Sequence, residues 1–124
     1  MELELKKCIK CNALIRVLKN CECDNCDIMC CNEQMKNIIP NSTEASFEKH
    51  LPNYEIKGDK IRITVNHVME NNHYIEWILY LNDDEEHIKF FKPGETATIE
   101  FTTNKKGTLY SYCNTHGLWK TDIK

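Results

Sequence analysis

The segment YCNTHGLW, residues 112–119, separates Cys113 and His116 by two residues and follows them with Gly117. Cys-x-x-His is half of a metal site. The other half must come from the remaining histidines, His50, His67, His73 and His87. A single histidine at a strand end is ordinarily a hydrogen-bonded, partly buried side chain. Two histidines flanking one turn, a further histidine in a loop and a Cys-x-x-His form a set that ordinary packing does not explain. Structural zinc takes four ligands in a tetrahedron. His50, His67, His73, Cys113 and His116 make five. Four imidazoles and one thiolate suit iron, with a sixth position open to a small substrate. A thiolate opposite that position would push electron density onto the iron and onto an oxygen species bound there. Such a site is built for one-electron oxygen chemistry.

A second set of donors lies upstream. The chain has 8 cysteines, seven of them within the first 31 residues. In a secreted mini-protein these would read as a disulfide frame. The N-terminus MELELKKC lacks the apolar run of a signal peptide, so a cytoplasmic protein is expected, with cysteines used for metal ligation or redox chemistry. Cys8-x-x-Cys11 is a recognisable knuckle, and the adjacent Cys30 and Cys31 supply a second pair. Cys23-x-x-Cys26 is a competing knuckle, with Cys21 beside it. Two ligand sets are open, and cysteines left out of the site are expected as free thiols or as a second, opportunistic metal site.

The elements that must position these donors fall into two unlike halves. Residues 1–38 hold the cysteines and few large apolar groups; Ile9, Leu14, Ile15, Val17, Leu18 and Ile28 are the main core candidates. A segment this small rarely folds on burial alone, so a metal staple is expected. The polar stretch NIIPNSTEAS, residues 37–46, reads as a linker, and the second domain spans 39–124. There the pattern changes to short alternating runs at 60–67, 73–81, 86–91, 96–101 and 108–113, separated by turn signals. Such runs predict an antiparallel β-sandwich, and the chain as a whole a mostly β protein. Side chains at i and i+2 share a face. His67 therefore continues the face of Ile61, Ile63 and Val65, and His73 opens the face of Ile75, Trp77, Leu79 and Leu81. Cys113 ends the face of Leu109 and Ser111. His87 shares its parity with Lys89 and is read as a surface histidine outside the site.

Composition narrows the function classes. With 124 residues and 41% apolar content, the chain supports one modest core. No run approaches the ~20 apolar residues of a membrane span. A net charge of −3 and a pI near 5.9 disfavour nucleic acid as a partner.

The segments FEKHLP (47–52), NHVMENNHYIEWI (66–78) and YCNTHGLW (112–119) resemble the three iron-site motifs of superoxide reductases. The cysteine-rich segment before them resembles the desulforedoxin-like domain of the desulfoferrodoxin family, the two-iron form of that enzyme. The resemblance covers nearly the whole chain. It implies an immunoglobulin-like sandwich whose iron is held by His50, His67, His73 and His116 in a plane, with Cys113 axial. It implies one-electron reduction of superoxide to hydrogen peroxide, re-reduction by rubredoxin or a similar donor, and a homodimer. Glu48 and Lys49 match the family's glutamate, which occupies the sixth position of the ferric resting site, and its lysine, which assists superoxide approach and protonation. Cys8, Cys11, Cys30 and Cys31 would hold a second, rubredoxin-like iron, for which zinc can substitute. Adjacent cysteines cannot relax around a metal as Cys-x-x-Cys can, so a distorted tetrahedron is expected. Family members usually carry glycine after each cysteine pair, where this chain has Asn12 and Asn32. Asparagine tolerates left-handed backbone, so the turns can survive. Two other functions are compatible with the residues alone: a non-enzymatic iron electron-transfer protein, and a zinc-ribbon module fused to an adhesive sandwich.

Overall fold

The computed structural model describes residues 2–24 and 27–124. Among them the chain forms two compact units, Glu2–Ile39 and Pro40–Lys124.

The first unit is built on turns. Strands β1 (Leu5–Lys7), β2 (Leu14–Arg16), β3 (Met29–Cys30), β4 (Glu33–Gln34) and β5 (Lys36–Asn37) are two or three residues each. They form a β2-β1-β5 sheet and a separate β3-β4 hairpin. The apolar residues expected to form its core mostly do not: Ile9 is 67% exposed and Leu18 84%. The buried apolar positions are Leu5, Cys8 and Met35. Strands this short cannot turn a continuous apolar face inward, so isolated side chains are buried in place of a stripe.

The second unit has a one-turn helix α1 (Phe47–His50) and seven strands. β6 (Asn53–Lys57), β7 (Lys60–Thr64) and β10 (Thr98–Thr102) form one sheet in the order β10-β7-β6. β8 (Ile75–Leu81), β9 (Glu86–Phe90), β11 (Thr108–Cys113) and β12 (Gly117–Asp122) form the other in the order β12-β11-β8-β9. All pairings are antiparallel. One apolar core joins them, with Ile61, Ile63 and Val65 from one side and Ile78, Tyr80 and Leu109 from the other. Each such burial stabilises by about 1.5–3 kcal/mol. The mostly β class and the antiparallel sandwich agree with the sequence reading.

Strand β8 and His87 depart from the faces that parity predicts. The ladder between β11 and β8 pairs Tyr112 with Trp77 but Cys113 with Ile75, so Glu76 is extra. An extra residue flips the face of everything beyond it. Ile75, Ile78 and Tyr80 therefore face the core, and Trp77 stacks on Tyr112 instead (5.5 Å, 9°). The irregularity falls after Ile75, so the shared parity of His73 and Ile75 is untouched. His87 is not a plain surface residue either. It pairs with Tyr80 across the ladder and its ring stacks on Phe101 (4.3 Å, 14°). It is half-buried, and it lies outside both donor clusters described below.

β6 and β12 were not anticipated. Both are sheet edges; NYEIK alternates over only five residues, and GLWKTD sets its two large apolar residues side by side instead of alternating them.

Candidate metal centres

Four separate segments bring His50, His67, His73, Cys113 and His116 together, with one ligand atom from each lying within 4.8 Å of all the others. His50 ends α1. The helix packs Phe47 edge-on against buried Trp119 (5.3 Å, 74°), and Trp119 stacks on His50 (4.8 Å, 26°). Buried Ser111 donates its hydroxyl to the His50 carbonyl at 2.7 Å. His67 lies three residues beyond β7, so a turn places it, with its N–H donating to the Val65 carbonyl at 3.0 Å. His73 closes a tight turn over Asn71 and Asn72, held by two backbone bonds between Glu70 and His73. Cys113 ends β11 and is fully buried. Gly117 follows His116 at φ +79°, a left-handed conformation that favours glycine.

The ring nitrogens are oriented from outside. His50 Nδ1–H donates to the Ser46 carbonyl at 2.7 Å, and His67 Nδ1–H to the Val68 carbonyl at 2.5 Å. A carbonyl only accepts, so both rings carry the proton on Nδ1 and turn a bare Nε2 inward. His50 Nε2 lies 3.1 Å from His116 Nδ1, and Cys113 Sγ lies 3.4 Å from His67 Nε2. The four imidazoles close a ring in the order 50, 67, 73, 116, with centroid spacings of 4.7, 4.6, 5.1 and 4.8 Å and planes 70–90° apart. Donors about 2.1 Å from one ion and at right angles stand about 3.0 Å apart, with opposite ones about 4.2 Å apart. The 3.1 Å between His50 Nε2 and His116 Nδ1 matches such an adjacent pair, and no two donors stand more than 4.8 Å apart. His73 Nε2 is buried without a hydrogen-bond partner among the described residues. An unpartnered buried lone pair is costly unless something takes it up.

Electrostatics point the same way. Burial holds His50 below its ordinary pKa, with neighbouring His116, His73 and Lys49 adding to the effect. Burial does the same to His67. Burial also pushes the Cys113 thiol up, against the lowering by the His116 and Thr115 backbone N–H groups. These groups are neutral at physiological pH, and a cation would draw the proton from the thiol. Glu48 and Lys49 are exposed on α1 beside His50.

The sulfur cluster has its own dimensions. Cys8, Cys11, Cys30 and Cys31 also converge within 4.8 Å. Cys11 Sγ lies 3.6 Å from Cys30 Sγ, which is 3.9 Å from Cys31 Sγ. Four sulfurs about 2.3 Å from one ion stand about 3.8 Å apart in a tetrahedron. Asn12 and Asn32 take φ +65° and +62°, and Cys31 +53°. Cys31 and Asn32 thus form the left-handed two-residue turn of the β3-β4 hairpin, which aims both cysteines at the cluster. Cys8 is lowered to about 7, chiefly by the Cys11 backbone N–H, while the neighbouring Cys11 and Cys8 sulfurs push Cys30 up to about 12. One thiolate forms readily and then opposes the next, a repulsion that a cation removes. Cys23 is exposed, and Cys26 lies outside the described residues. Cys21, expected as a free thiol or a donor, is disulfide-bonded, which removes its thiolate from the competing set.

A model of the desulfoferrodoxin family matches residues 42–122. The chain belongs to the desulfoferrodoxin family. Relatives named desulfoferrodoxin include that of Nitratidesulfovibrio vulgaris, 35% identical over 98% of this chain and 97% of the relative. A desulfoferrodoxin homolog of Archaeoglobus fulgidus is 34% identical over 96% of each. A superoxide reductase of Pyrococcus horikoshii is 33% identical over 62% of this chain and 87% of its own. The crystal structure of the superoxide reductase from Treponema pallidum has the same fold, with a TM-score of 0.74, 21% identity, and coverage of 98% of this chain and 100% of that one. The donor chemistry of the four histidines and Cys113 suits the iron that membership of the desulfoferrodoxin family implies.

The nine residues that converge were all named from the sequence, His50, His67, His73, Cys113 and His116 by type and spacing, and Cys8, Cys11, Cys30 and Cys31 through the family resemblance. Sequence reasoning missed the residues that hold them: Ser111 under His50, Trp119 stacked upon it, and Asn114 beside His73. Only Asn114 carried a local signal, a turn-forming asparagine between two donors.

Proposed function

We propose that this chain is a two-iron superoxide reductase. The reaction adds one electron and two protons to superoxide, giving hydrogen peroxide without releasing dioxygen. The observation that carries the reading is the convergence of four inward nitrogens and one buried sulfur in a chain of the desulfoferrodoxin family. When bound there, iron supplies the electron and an open coordination position. His50, His67, His73 and His116 would hold it as neutral ligands, their outer N–H groups tied to protein carbonyls where these are present. Cys113 would lose its proton on binding and serve as the electron-donating ligand. Lys49 would draw in the anion, since a net charge of −3 opposes its approach. Glu48 is a hard oxygen donor suited to closing the open position in the ferric resting state.

Residues 1–38 would form the desulforedoxin-like domain, and 39–124 the catalytic one. Cys8, Cys11, Cys30 and Cys31 would hold the second iron, or zinc in its place, for electron transfer or for stabilisation. A rubredoxin-like protein would return the electron, and the enzyme would act as a cytoplasmic homodimer. No helix among the described residues is long and apolar enough to cross a membrane.

The test is iron quantification and a visible spectrum of the purified protein, followed by stopped-flow mixing with superoxide. Two iron chromophores and second-order superoxide consumption with one peroxide formed per superoxide are expected. A colourless zinc protein, or an iron-loaded protein that leaves superoxide to decay spontaneously, would sink the reading.

A further inference from the structure

The β11–β8 ladder stops where the centre begins. Its last pair is Cys113 with Ile75, just past the irregularity at Glu76. Beyond that point regular strand pairing no longer fixes the turn bearing His73 against the loop bearing Cys113 and His116. The side chain of Asn114 replaces it. Its Oδ1 accepts the Tyr74 N–H at 3.0 Å, and its Nδ2 donates to the Asn72 carbonyl at 3.0 Å. Its backbone N–H donates to the Tyr74 carbonyl at 3.2 Å. Both chain neighbours of His73 are thus tied to a single residue lying between Cys113 and His116. The carboxamide offers one donor and one acceptor in a plane, as a peptide unit does, so it extends the ladder by one step with a side chain.

We infer that Asn114 is a positioning residue for the metal centre: its carboxamide clamps the His73 turn to the Cys113–His116 loop and sets where the His73 imidazole stands among the other donors. His73 is the member whose inward nitrogen has no other partner among the described residues. Among the described residues no hydrogen bond orients the His73 ring, so its orientation depends on its backbone more than that of His50 or His67, whose Nδ1 atoms are anchored to carbonyls. Asn114 touches no reacting atom, and its effect would pass entirely through His73.

The inference rests on the metal-centre reading, and the experiment separates the two. Asn114→Ala removes both side-chain bonds. Asn114→Asp keeps the acceptor for Tyr74 N–H and loses the donor to Asn72. Asn104→Ala, at an exposed residue outside the network, is the control. Tyr74 amide exchange is measured by NMR in the metal-free full chain. The clamp predicts exchange at least ~10-fold faster in Asn114→Ala, restored toward wild type in Asn114→Asp. Ferrous iron release to a chelator is then followed in the loaded proteins. Release should be on the order of 10-fold faster in Asn114→Ala, the lower range for partners that orient a ligand. The sulfur-to-iron band of the oxidised protein should shift while the melting temperature of the sandwich stays within a few degrees. Unchanged Tyr74 exchange in Asn114→Ala overturns the clamp whatever the metal does. Faster exchange with unchanged iron release and an unshifted band overturns the positioning role. A wild type that takes up no iron here, yet loses Tyr74 protection in Asn114→Ala, keeps the clamp and removes the metal-centre reading.

Discussion

The two donor clusters are held in opposite ways. The sulfur cluster stands on left-handed turns and strands of two or three residues, in a unit that fully buries few of its larger apolar side chains. The imidazole cluster stands at the ends of strands whose shared core is built mainly from other residues, Cys113 belonging to both. In the first, a bound metal would supply much of what holds the unit together; in the second, the fold gathers the candidate ligands without one. The contrast teaches that similar convergence of donors can reflect either dependence on a metal or preorganisation for one.

The largest effect expected from this difference is on metal removal. A strong chelator under reducing conditions should abolish amide protection in the first unit, because little burial remains to offset chain entropy. Protection across β7, β8 and β11 should survive. Hydrogen exchange before and after chelation reads both at once, and equal retention in the two units would break the comparison.

Next in size is Cys113→Ser. Catalysis should be lost and the sulfur-to-iron band should vanish while the sandwich still melts cooperatively, since its core is drawn from both sheets. A variant that keeps both band and activity would refute the ligand assignment. Lys49→Ala should slow the second-order step with superoxide by ~10-fold and flatten its salt dependence, because screening acts over ~10 Å at 0.1 M. Glu48→Ala should leave encounter nearly unchanged and alter the ferric resting spectrum. Identical rates and salt slopes for Lys49→Ala and wild type would make Lys49 an ordinary solvated residue.

A smaller effect should come from the turns. Asn32→Ala places a β-carbon without a compensating polar group at φ +62°, and should cost the first unit about 1 kcal/mol. Asn32→Gly should cost nothing or stabilise slightly, as thermal unfolding of the loaded protein will show. The smallest effect concerns pH in the metal-free sandwich. Burial holds His50 and His67 below the ordinary histidine value of 6.5, so the unfolded chain binds more protons than the folded one below that pH. Their contribution is fully present above about pH 6.5 and fades as pH falls toward their folded values. A melting temperature that rises on acidification would contradict this.

Much of the architecture was legible because alternation is a direct record of burial. Ile61 and Ile63 on β7, and Leu109 and Ser111 on β11, sort themselves by parity alone. The donors were legible because few other arrangements call for four histidines and a cysteine at strand ends and turns. What was not legible depends on pairing partners. Nothing in IEWILYL marks Glu76 as the extra residue, because both faces of that strand are apolar. His87 reads as polar and exposed until Phe101 from the opposite sheet is placed against its ring. The edge strand β6 alternates over only five residues, and β12 buries the adjacent Leu118 and Trp119, a pair that period-two alternation does not flag. Asn114 looks like any turn asparagine until Asn72 and Tyr74, some forty residues earlier, are brought beside it.

The distance between donors along the chain sets an order of assembly. His50 and His116 are 66 residues apart in sequence, whereas the sulfur donors Cys11 and Cys30 are separated by 19. A chain emerging from the ribosome completes the sulfur set long before His116 is made. Closing the shorter loop also costs less entropy, although that cost grows only slowly with length. The imidazole set exists only after strands from both sheets have found each other, which is the slow part of building such a sandwich. Biosynthesis would therefore load the first ion onto a nascent segment and the second onto a finished domain. A cell short of iron would accumulate molecules filled at one end only.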